Sequence, residues 1–226
     1  MKALAIDCAV SKLSISAKNE DKFVSCIYNI GMKQSENIVP AIDYVLKKIE
    51  LTSSDLDYLT FTKGPGSFTG LRLSISALKA IELAYNKNLY GISSLKTYAF
   101  PFFEFDFPIL SVIDANKDRF YASIYLNKTN ILEDGDYTVD FLLEKLNSFE
   151  KILICGPGNH KFKKILEESN HKIKIFSPNF QGVPSEVLFS LTEEEIKNGL
   201  NPLNDYDGPL YLRASEAEIV HSQKKS

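Results

Sequence analysis

Tryptophan is absent from the 226 residues, methionine occurs twice, and histidine and cysteine three times each. Each scarcity excludes something. His160, His171 and His221 form neither His-x-x-x-His nor His-Glu-x-x-His, so no zinc-hydrolase helix is encoded and no metal site is expected. Cys8, Cys26 and Cys155 include no Cys-x-x-Cys pair; an odd, scattered count fits a reducing compartment and reads as small hydrophobes. No apolar run approaches the roughly 20 residues of a membrane span. Met1 to Asp7 reaches an acidic residue too soon for a signal peptide, so a cytoplasmic protein with no membrane contact is expected. There is no Gly-x-x-x-x-Gly-Lys-Ser/Thr run. The dinucleotide fingerprint fails because three residues, not two, separate Gly66 from Gly70. Ser67 has no Gly-x-Ser-x-Gly elbow around it. With 26 basic against 29 acidic residues the net charge is −3, which argues against unaided nucleic-acid binding.

What the chain does contain is the stretch Lys63 to Arg72, with glycines at 64, 66 and 70. An apolar run, Tyr58 to Phe61, leads in, and a helical pattern, Leu71 to Tyr85, leads out. Strand, glycine loop and helix aim backbone N–H groups and the positive helix end at one point. Gly64, Gly66 and Gly70 leave room for a tight turn or a close approach. Ser67 and Thr69 are candidate helix caps. A phosphate loop built from Gly64, Gly66, Ser67, Thr69, Gly70 and Arg72, with Asp7 nearby, is therefore one reading; a ligand-free connection is the other.

The rest of the chain reads as two similar halves, 1–105 and 106–226. Leu4 to Cys8, Leu13 to Ala17 and Phe23 to Ile30 are expected strands of an antiparallel meander. A helix follows over about Asn37 to Glu50; a cap at Asn37 puts Pro40 in the first turn and is favoured, whereas a cap at Ser35 would bring a kink. Leu89 to Ile92 is a short strand, and Phe100 to Pro108, five phenylalanines among prolines, is a junction. Then the pattern returns roughly 100 residues on. Ile109 to Asp114 ends in aspartate as Leu4 to Asp7 does, Phe120 to Leu126 alternates, Val139 to Leu146 is helical, and Ile152 to Cys155 enters a second Gly-Pro-Gly at 156–158. Ile173 to Phe176 is a strand, and a helix runs from Pro184 to Gly199. The tail after Arg213 is expected to fray or to pack back on the first half.

Two strand-end aspartates and two glycine loops suggest a kinase-like phosphotransferase or ATPase, with Asp7 holding a metal through water. A single strand-end aspartate is as readily a turn acceptor. The two N-terminal helices offer more apolar face than one small half needs, so a partner surface is expected over Ile38, Ile42, Val45, Leu46, Ile49, Leu71, Ile75 and Leu78, shared between core and neighbour.

The run Gly64-Pro65-Gly66-Ser67-Phe68-Thr69-Gly70-Leu71-Arg72 resembles the hallmark of the TsaB (YeaZ) family. Further resemblances, in order, are Ile6-Asp7, Ser35-Glu36 before Ile38-Val39-Pro40, Ser93-Ser94-Leu95, Ile113-Asp114-Ala115, Phe120-Tyr121-Ala122 and Tyr211-Leu212-Arg213. Gln34 stands where histidine is frequent, Cys8 where threonine is usual, and Asn116 departs from the usual Asp-Ala-Arg. The resemblance implies an α/β fold, a duplicated ribonuclease-H-like (actin-like ATPase) architecture with two similar mixed sheets. It implies a non-catalytic subunit, without cofactor, for transfer of a threonylcarbamoyl group to N6 of the adenosine 3′ of the anticodon in tRNAs reading codons that begin with A. The implied partners are the paralogue TsaD, docked through the two N-terminal helices, and the ATPase TsaE. A separate synthase, TsaC, supplies threonylcarbamoyl-adenylate. The same face implies a homodimer when the chain is alone, and tRNA is reached only through the complex.

Overall fold

In the computed structural model, residues 1–169, 172–179 and 182–213 are described. His171, His221 and the tail after Arg213 lie outside them. The first half opens with β1 (Lys2–Asp7), β2 (Leu13–Asn19) and β3 (Lys22–Tyr28), an antiparallel meander. Helix α1 (Gln34–Lys48) leads to β4 (Tyr58–Gly64), which pairs parallel with β1. Helix α2 (Phe68–Tyr85), β5 (Asn88–Ser93) and α3 (Ser94–Ala99) complete the half. The sheet order is β3-β2-β1-β4-β5.

The second half repeats this order. Strands β6 (Ile109–Asp114), β7 (Arg119–Leu126) and β8 (Thr129–Thr138) form a meander. Then come α4 (Val139–Leu146), β9 (Lys151–Cys155), α5 (Asn159–Glu168), β10 (Lys174–Phe176) and α6 (Pro184–Lys197). The order β8-β7-β6-β9-β10 matches that of the first sheet strand for strand. Duplication is therefore visible in topology.

The final helices cross over. Helix α6, in the second half of the sequence, packs on β1, β2, β4 and β5 of the first sheet, whereas α3 reaches β6 and β7 of the second. Ala3, Ala5, Tyr58, Tyr90 and Ile92 bury against Leu188, Phe189 and Leu191 of α6. Beside that apolar strip lies a hydroxyl ladder. Ser185 bonds Ser14 (2.7 Å) and Ser16 (2.6 Å), and Thr60 bonds Thr192 (2.7 Å), so the polar groups covered at this face have partners.

Three expectations change. Helix α1 begins at Gln34, three residues early, with no side-chain cap, so Pro40 is its seventh residue and lies inside the helix. Asn37 does not cap it; its Nδ2 donates to the Lys33 carbonyl instead. Pro40 is exposed, so the carbonyl it leaves unpaired can reach water. Helix α2 begins at Phe68 rather than Leu71, with Ser67 as the cap accepting from Gly70 N–H. Strand β8 was not foreseen: it is a half-exposed edge carrying Glu133, Asp134, Gly135 and Asp136, which mutes the alternation that marks a strand.

Candidate functional site

The loop between β4 and α2 sits at the mouth of a cleft of about 860 Å³ between the two halves. Gly66, Ser67, Phe68, Thr69 and Arg72 line one wall; Asp114, Ala115, Asn116 and Tyr121 line the other. A second crevice, about 390 Å³, reverses the roles: Asp7 and Ser14 of the first half face Pro157, Asn159 and His160 of the second. In each space the meander turn of one half meets the glycine loop of the other. Asp7 and Asp114, matched in the duplication, therefore border different spaces.

Asp7 is only 2 % exposed. It accepts from Thr62 Oγ1 (2.7 Å), from the Ala9 N–H (3.2 Å) and from Tyr98 OH (3.2 Å). Burial raises its pKa above the ordinary aspartate value, while the hydrogen bonds from Thr62, Ala9 and Tyr98 act against the rise. Beside it, burial and the Asp7 charge push the Cys8 thiol up to about 12, so it is inert at neutral pH. Asp114 is exposed, takes both oxygens to Lys161 Nζ (2.9 Å each) and accepts from the Asn116 N–H (2.9 Å). Both carboxylates have protein partners, as turn acceptors do. Among the described residues no three His, Cys, Asp or Glu side chains form a group able to hold a metal.

The glycines serve the chain's own packing. A Cβ at Gly66 would overlap the Ala9 carbonyl, and one at Gly70 the Cys8 carbonyl. Gly64 has φ +121°, and a Cβ there would overlap the Leu210 carbonyl. What approaches the loop closely is thus backbone of the β1–β2 turn and of the C-terminal segment. The Ser67 N–H donates to Ala9 O (2.7 Å), while Gly70 and Leu71 N–H turn back onto Ser67. Thr69 is exposed and Ser67 caps the helix. Arg72 lies over the Phe68 ring and donates through Nε to Tyr211 OH (3.0 Å). Gln34, where the resemblance would place histidine, is buried and donates to the Val10 carbonyl (2.9 Å), fixing α1 to the β1–β2 turn.

The structure places all eight residues expected at a partner surface inside the chain's own core. Ile38, Ile42, Val45, Leu46, Ile49, Leu71, Ile75 and Leu78 are each less than a tenth exposed. Helical spacing selected the stripe that faces the sheet. Other apolar side chains of the two touching helices are exposed: Val39 (64 %) and Tyr44 (47 %) on α1, Leu83 (79 %) and, at the last position, Tyr85 (47 %) on α2. Sequence reasoning also missed Phe68, Tyr211 and Asp136 as partners. The one available signal was that Tyr211-Leu212-Arg213 accompanies the glycine run.

The family model described as TsaD, tRNA N6-adenosine threonylcarbamoyltransferase, matches residues 31–219. A tRNA threonylcarbamoyladenosine biosynthesis protein TsaB from Bacillus subtilis is 27% identical over 99% of this chain and 100% of its own length. The TsaB of Buchnera aphidicola subsp. Schizaphis graminum is 30% identical over 80% of this chain and 90% of its own. The solved structure of YeaZ from Pseudomonas aeruginosa superposes with a TM-score of 0.72 at 18% identity, covering 93% of this chain and 99% of that one. A putative N-acetylmannosamine kinase from Listeria monocytogenes shares the fold at a TM-score of 0.51 and 12% identity, covering 86% of this chain and all of that one. The architecture is the duplicated actin-like, ribonuclease-H-like α/β fold.

Proposed function

The chain belongs to the TsaB (YeaZ) family, and from that footing we propose that it is a non-catalytic docking subunit of a tRNA threonylcarbamoyladenosine machinery. Its partner in this reading is a TsaD-type transferase, to which it binds through the outward faces of α1 and α2. The observation that carries the proposal is the exposure of Val39, Tyr44, Leu83 and Tyr85 on two adjoining helices. Exposed apolar side chains on neighbouring helices supply the contact surface that an interaction site needs. The same face can pair two copies of the chain when the transferase is absent. An ATPase of the TsaE type completes the assembly, and tRNA is held by the complex rather than by this acidic chain alone.

Support for the non-catalytic role comes from the site. Asp7 is enclosed by its own hydrogen-bond donors, Asp114 is paired with Lys161, and the glycines of the loop accommodate backbone of this chain. The experiment is reconstitution. The chain is mixed with the transferase encoded in the same genome, complex formation is followed by co-purification, and tRNA modification is measured with and without it. Stimulation of modification together with a stable complex is expected. ATP turnover by this chain alone that disappears in Asp7→Asn would refute the docking role in favour of a kinase-like enzyme.

A further inference from the structure

The C-terminal segment runs back over the first half and then steps to the second. Leu203 N–H donates to Leu89 O (2.8 Å) along the outer edge of β5, and Lys79 Nζ donates to Asn204 O (3.1 Å). Leu210 N–H donates to Lys63 O (2.6 Å), while the Leu210 carbonyl fills the space that the missing side chain of Gly64 leaves. Tyr211 then stacks on Phe68, with ring centroids 3.9 Å apart and planes 2° from parallel, and its hydroxyl accepts from Arg72. Two residues later the contacts change halves. Arg213 donates through Nε (2.9 Å) and Nη2 (2.8 Å) to the Asp136 carboxylate on β8 and through Nη1 to the Ala115 carbonyl (3.1 Å). Its guanidinium lies 6.0 Å from the Tyr121 ring centre.

Phe68, Arg72, Ala115 and Tyr121 all border the large cleft, so the two anchors sit on its opposite walls. The geometry points to a clasp: Tyr211 and Arg213 bind the two halves to each other across the cleft, and the glycine run Gly64–Arg72 is the receptor into which the clasp closes. Folds of two lobes around a cleft close by hinge or shear motion around a ligand. Here a segment of the same chain spans the lobes, so closure is set without a ligand. The glycine loop is retained, on this account, because Leu210 and Tyr211 need it. Nε and Nη2 of Arg213 converge on Asp136 Oδ2 while Nη1 holds the Ala115 carbonyl, so three donors fix the orientation of the planar guanidinium as well as its distance.

The test is hydrogen exchange, read by mass spectrometry, on the full chain and on Arg213→Gln, Tyr211→Ala and Tyr211→Phe. Asp136 also accepts from Arg119 Nε (2.9 Å), so Arg213→Gln leaves that carboxylate paired and the fold intact. A clasp predicts that Arg213→Gln speeds exchange in both walls, residues 66–72 as well as 115–119, by about tenfold or more, while α4 is unchanged. Tyr211→Ala is to produce the same two-sided effect, and Tyr211→Phe, which keeps the stack, a smaller one. If Arg213→Gln loosens only 115–119, or neither wall, Tyr211 and Arg213 are separate surface contacts and the clasp is overturned. Tyr206, fully exposed in the same segment, is the control. A two-sided effect from Tyr206→Ala would equally overturn the assignment to Tyr211 and Arg213.

Discussion

Replacing Gly70 by alanine separates two reasons for keeping a glycine. If the loop were shaped for an arriving phosphate, an alanine would harm binding and leave the unliganded fold nearly untouched. The structure gives the other reason. A Cβ at Gly70 would overlap the Cys8 carbonyl, a backbone atom in the turn that follows β1. Restoring ordinary contact requires that carbonyl or the first turn of α2 to move by roughly 1.5 Å, in an interior packed at crystal density. Overpacking of this kind costs typically 1–3 kcal/mol, and the upper end applies because both partners are backbone. Alanine's better helix propensity returns at most about 1 kcal/mol. The net expectation is a loss of about 2 kcal/mol. For a chain of this size that lowers the melting temperature by about 4–8 °C. Calorimetry on the ligand-free protein reads it directly, with Gly208→Ala as the comparison, since nothing lies within 4 Å of a Cβ there. A surface change of that kind stays within about 0.5 kcal/mol. If Gly70→Ala melts within 1 °C of Gly208→Ala, the packing account of the loop fails.

Other expectations follow from the same geometry. Leu83→Asp and Tyr44→Glu, on outward faces, are expected to leave the melting temperature within about 2 °C while weakening partner binding by about 3 kcal/mol, more than a hundredfold, by burying an unpaired charge; sedimentation and co-purification check both halves of that statement. Ile42→Asp, in the core, is expected to unfold the chain rather than to dissociate a complex, as circular dichroism would show. Asp7 gives a pH prediction. A carboxyl whose folded pKa lies above its unfolded one contributes stability in full below the ordinary aspartate value and loses it as pH rises through the folded value. Asp7→Asn should therefore gain stability relative to the parent as pH rises from about 4 towards neutrality, because the variant has no charge to bury. Urea unfolding at several pH values reads this, and a gap that shrinks with rising pH would contradict it.

Much of this fold was legible. The buried strands β1, β4, β6 and β9 are short apolar runs bounded by turns, and the repeat of aspartate, alternation and Gly-Pro-Gly matches the observed duplicate topology. Strand β8 was hidden because an edge strand need not alternate strictly. The start of α1 was hidden because no side chain caps it and an interior proline argued for a later start. Nothing in the pattern revealed that α6 lies on the first sheet, since crossover is set by how the halves meet. The loop's demand for glycine was plain; what presses against it was not, because Cys8, Ala9 and Leu210 are remote in sequence. Periodicity located the two helices but named their inward stripe. The exposed residues, Val39, Tyr44, Leu83 and Tyr85, look from sequence like the irregular remainder.

The decisive measurement is the modification of tRNA by the TsaD-type transferase from the same genome, with no added subunit, with this chain, and with Leu83→Asp. Stimulation by the parent chain that is lost with a correctly folded Leu83→Asp, along with the complex, is the result the docking account predicts. Equal stimulation by both chains, or full modification with neither present, would contradict it.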